Sequence, residues 1–169
     1  LGYWSFFGRD YKVGPGVLIP RADTETVIEV CLEKLKSREN KTVLDICSGT
    51  GCIAITLALE SDAEVTALEK YNEALNYLKA NAEKNNAPIH IVQGDALKGD
   101  ASDKKYALIV SNPPYVTKEE MKSLQPEVAF EPETALLGGD DGLLFYRAIC
   151  NNYRNSLENG GTLVFEIGA

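Results

Sequence analysis

Short apolar runs rich in β-branched residues recur along the chain and alternate with longer segments of helical period, a pattern that builds parallel strands joined by helical crossovers. Thr42 to Ile46, Val65 to Leu68, Ile89 to Val92, Tyr106 to Val110 and Thr162 to Glu166 read as five strands. Between them, Gly51 to Leu59 is apolar nearly all round and must be a buried helix, while Asn72 to Glu83 is amphipathic with Leu75, Leu78 and Ala82 inward. Gly142 to Leu157 reads as a further helix, and Gly160-Gly161 as the turn into the last strand. Ahead of the first strand, Asp23 is expected to cap a helix whose Val27, Ile28, Cys31, Leu32 and Leu35 fall on one stripe. The fold class is therefore α/β, a doubly wound and mostly parallel sheet. A length of 169 residues at 44% hydrophobic composition suits one domain over residues 1–169.

The net charge of −8 has the wrong sign for a surface that neutralises phosphates, so stable nucleic-acid binding is not expected. Cys31, Cys47, Cys52 and Cys150 form no CxxC pair and the single histidine, His90, falls in a strand, so no metal site is expected. Reduced thiols in a cytoplasmic protein fit these spacings better than a disulfide framework. The sequence contains no run of 18 apolar residues, and neither secretion nor membrane spanning is expected.

The chemistry sits at the predicted strand ends. Asp45-Ile46-Cys47-Ser48-Gly49-Thr50-Gly51 joins the first strand to the buried helix, and such a glycine-rich turn lets a ligand approach the backbone. Glu69 ends the second strand, where a carboxylate can accept from both hydroxyls of a ribose. Asp95 follows the third strand, at the height of an adenine edge. After the fourth comes Asn112-Pro113-Pro114-Tyr115, a stiff, extended corner in which two prolines remove two N–H donors. Asn112 offers an acceptor and a donor group, the Pro113 carbonyl accepts, and Tyr115 supplies a flat face, so a planar amide or aromatic amine can be gripped by its N–H groups and by its plane. Each residue also has a scaffold reading: Asp45 as an acceptor for its own loop, Asp95 as a turn aspartate, Thr24 and Glu25 as first-turn helix residues, and Arg21 as a structural partner of an acid.

The order of these motifs resembles a class I S-adenosylmethionine-dependent, Rossmann-like methyltransferase acting on nitrogen. Val17-Leu18-Ile19-Pro20-Arg21-Ala22-Asp23-Thr24-Glu25, Phe130-Glu131-Pro132, the Ala135 to Leu143 block and Gly160-Gly161 to Glu166-Ile167-Gly168 narrow it. Together they are similar to the protein-(glutamine-N5) methyltransferases of the HemK/PrmC family, from about Phe7 to the last residue. The resemblance implies S-adenosyl-L-methionine as cofactor, held at Asp45, Cys47, Gly49, Gly51, Glu69, Asp95 and Asn112. It implies a substrate glutamine, in the Gly-Gly-Gln loop of a peptide chain release factor, gripped by Asn112, Pro113 and Tyr115 with Pro114 holding the corner.

Two positions depart from the family pattern. Cys47 stands where glycine is usual and is acceptable if its φ is negative, and Ala22 stands where proline is common. The resemblance also implies closing strands six and seven and an N-terminal helical domain that binds the release factor. The chain is expected to be a catalytic-domain fragment lacking both. Two other readings stay open: an N6-adenine DNA or RNA methyltransferase, which needs the same corner, and a cofactor-binding domain inactive by itself.

Overall fold

In the computed structural model, which describes residues 2–123 and 131–168, the chain opens on a hairpin that the periodicity left unassigned. Its strands β1 (Tyr3–Phe6) and β2 (Arg9–Lys12) turn through Phe7 and Gly8, whose φ values of 49° and 72° are the left-handed pair a two-residue turn needs. Then follow α1 (Asp23–Lys36), β3 (Thr42–Ile46), α2 (Cys52–Glu60), β4 (Glu64–Glu69), α3 (Asn72–Lys84), β5 (Ile89–Gln93) and β6 (Tyr106–Ser111). Two short helices, α4 (Lys118–Met121) and α5 (Glu133–Leu136), precede α6 (Leu144–Tyr153) and β7 (Leu157–Phe165). Phe130 and Ala169, counted in the resemblance, lie outside the described residues.

The main sheet is parallel throughout, in the order β5-β4-β3-β6-β7. β6 and β7, sixth and seventh in chain order, are the strands read from the sequence as the fourth and fifth, and they pair in parallel. The hairpin takes the first two places, so these are the fourth and fifth members of the sheet. Asp23 does not cap α1: Ala22 occupies the N-cap without a side-chain bond, and Asp23 lies in the first turn, where its charge favours the helix dipole. The helix expected to reach Leu157 stops at Tyr153, and Leu157 already pairs with Tyr106. Because Leu108 then pairs with Thr162, residues 158–161 form a bulge inside β7, and the Gly160-Gly161 turn belongs to that bulge.

Alternation along β3 divides the core. Val43 packs with Ile28, Ile55, Leu57 and Leu78 of α1, α2 and α3, whereas Leu44 and Ile46 face Ile149 and Tyr153 of α6. The hairpin covers the first layer with Phe6 and Tyr11, and the Tyr11 hydroxyl lies 2.9 Å from Thr56 Oγ1. Asn81 on α3, fully buried, fastens the hairpin to the loop after β3. Its Oδ1 accepts from Lys12 N at 2.6 Å, and its Nδ2 donates to Lys12 O at 3.1 Å and Thr50 O at 2.9 Å. Replacing Asn81 by Leu strands three backbone groups, so Asn81→Leu is expected to cost about 3 kcal/mol of unfolding free energy in urea. A loss below about 1 kcal/mol would mean that these bonds are readily replaced by water.

Candidate active site

The order of strands has its switch point between β3 and β6, where crossovers leave in opposite directions and open a crevice beyond the carboxyl ends. One cleft occupies that crevice, and its walls include Gly49 after β3, Glu69 of β4, Asp95 after β5, and Asn112 and Pro114 after β6. Val17 and Leu18 from the segment before α1 and Tyr71 after β4 supply apolar surface. Ser111, buried at the end of β6, donates to the Ile46 carbonyl at 2.6 Å and so ties the proline corner to the root of the glycine loop.

The loop after β3 is built on left-handed residues. Gly51 has φ 83°, and a Cβ there would stand 2.3 Å from Leu78 Cδ1, so both conformation and packing demand glycine. Cys47 also has a positive φ, 62°, and the condition under which cysteine is harmless at this position is not met. A non-glycine residue in this region carries roughly 1–3 kcal/mol of strain. Its thiol lines the cleft, and burial, with Glu69 and Asp45 nearby, pushes its pKa up, as burial pushes Cys52 up to about 12. Both are therefore neutral thiols rather than nucleophiles.

Glu69 is 6% exposed and already engaged: Oε2 accepts from Gly49 N at 2.9 Å, and Oε1 accepts from Lys70 N at 2.8 Å and Tyr71 N at 2.9 Å. A carboxylate offers about four acceptor sites, so it can take one ligand hydroxyl as it stands and a second by releasing an N–H. Asp95 caps the 3₁₀ turn Ala96–Lys98 by accepting from Leu97 N at 2.9 Å and pairs with Lys70 Nζ at 2.9 Å. Burial works against its charge, yet Lys70 and the Leu97 N–H hold its pKa below the usual range. The turn reading of Asp95 is thus present in the structure, on the wall of the same cleft.

At the corner, Asn112 and Pro114 face the cleft, whereas Tyr115 lines a neighbouring outer groove with Leu143, Tyr146 and Ile167. Pro113 is buried and lines neither. The chain leaving the corner is clamped by the loop before α6: Val116 N donates to Leu136 O and Gly138 N to Val116 O, both at 2.8 Å. Gly142, with φ 73°, passes so close that a Cβ would lie 2.4 Å from Tyr115 O. Arg21 contacts both carboxylate oxygens of Glu131 at 3.0 Å, its scaffold role, and Glu25 accepts from Phe7 N at 2.9 Å, fastening the hairpin to α1. Beside the corner stand Thr24, read from the sequence as a first-turn helix residue, and Glu166, given no role there: Thr24, 2% exposed, donates to Glu166 Oε2 at 2.6 Å. Glu166 directly follows β7 at the edge where Glu69 ends β4, and that position was the available signal.

Asp45 does not line the cleft. It is fully buried beneath the loop, with Oδ2 accepting from Ala54 N at 3.2 Å and Oδ1 without a hydrogen-bond partner among the described residues. Burial raises its pKa to about 7 against the pull of Ser48 and the Ala54 N–H, with Glu69 adding to the rise. A carboxyl whose pKa is higher folded than unfolded binds its proton better when folded, so its contribution is full below the unfolded value of about 3.9 and is lost as pH rises to about 7. Asp45→Asn is expected to stabilise the ligand-free protein at pH 8 by on the order of 2–4 kcal/mol, a gain that shrinks toward pH 4 in paired denaturation curves. An equal effect at both pH values would show that Asp45 is not titrating in the fold.

Residues 20–137 match the methyltransferase small domain family. The release factor glutamine methyltransferase of Fusobacterium nucleatum is 40% identical over 171 residues, covering 99% of this chain and 48% of the relative. That of Bacillus subtilis is 42% identical over 175 residues, covering 99% and 61%. The chain thus spans about half to three fifths of the length of these relatives. Among solved structures, the precorrin-6y C5,15-methyltransferase of Geobacter metallireducens superposes with a TM-score of 0.59 at 16% identity, over 88% of this chain and 63% of the other. The glycopeptide N-methyltransferase MtfA in complex with S-adenosyl-L-methionine gives 0.53 at 19%, over 82% and 53%. These likenesses carry the fold, and the match over residues 20–137, well over half its length, makes the chain a member of the methyltransferase small domain family.

Proposed function

We propose that residues 1–169 form the catalytic domain of a cytoplasmic enzyme that transfers a methyl group from S-adenosylmethionine to the side-chain amide nitrogen, N5, of the glutamine in the Gly-Gly-Gln motif of peptide chain release factors. The observation that carries the reading is the convergence of the loop after β3, Glu69, Asp95, Asn112 and Pro114 on one cleft at the switch point of the sheet, with Tyr115 in the groove beside it. The names of the relatives at 40% and 42% identity support the substrate class.

The residues fit the cofactor. At Gly49 an added Cβ would meet only Val17 Cγ2, at 3.8 Å, so the backbone there is open to close approach. Glu69 has acceptor capacity for a ribose hydroxyl, Tyr71 and Leu68 offer apolar surface to a base, and the acids suit a ligand that carries ammonium and sulfonium charges. When bound, S-adenosylmethionine supplies an electrophilic methyl group.

The protein's task is then to position a poor nucleophile, because an amide nitrogen shares its lone pair with the carbonyl. Asn112 Oδ1 and the Pro113 carbonyl each accept one amide hydrogen, which favours the positive charge that develops on nitrogen as the methyl arrives. Tyr115 stacks on the amide plane, and Pro114 holds the corner rigid. After transfer the methylated nitrogen loses its surplus proton to water, because no thiol and no histidine is placed to act as base: Cys47 and Cys52 stay protonated, and His90 lies out on β5.

Transfer of labelled methyl to a release factor tests the reading, with a Gly-Gly-Ala loop as control and duplex and single-stranded DNA alongside. Label on the factor that is lost in the control is the expected result; label on DNA alone would replace it with the N6-adenine reading. Asn112→Ala is expected to lower kcat by about 100-fold while cofactor affinity in calorimetry changes less than about threefold. Glu69→Ala is expected to weaken cofactor binding by at least about tenfold and to lower Tm, because three N–H groups lose their acceptor. Normal turnover by Asn112→Ala would contradict the role of the corner.

A further inference from the structure

We infer that Glu166 is a positioning residue: its carboxylate accepts from the Nδ2 group of Asn112 and so keeps Asn112 Oδ1 turned toward the cleft for the substrate amide. The catalytic consequence rests on the proposed function; the pairing itself does not.

The backbone brings the two side chains together. Phe165 pairs with Ser111 in the parallel ladder, and Glu166 N donates to Ser111 O at 3.0 Å, so Glu166 and Asn112 are the next residues on adjacent strands. Glu166 is held from three elements. Its N–H is bound to β6, its carbonyl accepts from the Tyr146 hydroxyl of α6 at 2.8 Å, and its Oε2 accepts from Thr24 of α1 at 2.6 Å. Engagement of Oε2 leaves Oε1 for the amide. Burial raises the carboxyl above its usual range, Thr24 opposes the rise and Asp23 adds to it, while the Asn112 amide favours the charged form.

The reason such a residue is needed lies in the amide itself. Asn112 presents an acceptor and a donor of nearly equal size, and a rotation by half a turn exchanges them. With NH₂ toward the cleft, donor would face donor and the substrate amide would be repelled. A carboxylate beside Asn112, unable to donate when ionised, permits one of the two orientations.

The side-chain ¹⁵NH₂ signals of Asn112 in the intact chain test the pairing without substrate. They are expected to shift as Glu166 titrates and to lose that shift in Glu166→Gln. Arg21, Asp23, Cys52, Tyr115 and Tyr146 also face this carboxylate, and their influence persists in the variant, so the difference isolates Glu166. Asn112 signals that ignore pH, or that move equally in Glu166→Gln, would overturn the pairing.

Exchange of the two groups tests the consequence. Asn112→Asp is expected to lower kcat by about 100-fold, through two carboxylates in contact. Adding Glu166→Gln, whose amide can donate to Asp while the other Asp oxygen serves substrate, is expected to restore about tenfold. A double variant no faster than Asn112→Asp would overturn positioning even if both variants fold and bind cofactor. Absence of transfer by the wild-type chain would sink the glutamine reading, and the NMR shifts would still decide the pairing.

Discussion

Parallel direction is the constraint on which the site depends. Because all five sheet strands run the same way, each delivers its last residue to one edge, and chemistry dispersed from Asp45 to Glu166 is gathered there. The switch between β3 and β6 then opens that edge, since no crossover covers the gap. Ser111 and Asn81 translate the constraint into local precision: the first fixes the proline corner to β3, and the second fixes the glycine loop to α3 and the hairpin.

The electrostatics of the edge are one-sided. Glu69 and Asp95 line the cleft, Glu166 accepts from Thr24 of its wall, and Asp45 lies beneath the loop, while Arg21 is committed to Glu131 and Lys70 to Asp95. A phosphate-rich ligand would meet carboxylates whose cations are already occupied, whereas a cationic sulfonium compound would relieve their repulsion. The same reasoning explains why Asp45, buried with an oxygen lacking a partner among the described residues, holds its proton to about pH 7. An added positive charge nearby would lower that pKa, so cofactor binding and Asp45 ionisation are expected to favour each other.

Much of this was legible in the sequence because the signals were strong in their own right. Thr42–Ile46 is a β-branched and apolar run, α2 is apolar on every side, and the two prolines of the corner admit few conformations. The hairpin was not legible: its strands are four residues long, Tyr3 and Trp4 are exposed, and Phe7 is an unusual residue for a left-handed turn position. Turn chemistry at Gly160-Gly161 was real but does not separate a turn between elements from a bulge within one. Asp95 shows the limit of motif reading, since the carboxylate expected to meet a base is also the cap of a 3₁₀ turn. Thr24 and Glu166 are separated by 142 residues, a pairing that only the sheet reveals.

The central claim is that one cleft holds the nucleoside and presents the sulfur to the proline corner. A crystal structure of the chain with S-adenosylhomocysteine tests it most directly. The account predicts ribose hydroxyls on Glu69, the base against Tyr71, and the sulfur facing Asn112. A nucleoside bound outside the cleft, or a sulfur turned away from Asn112, would contradict it.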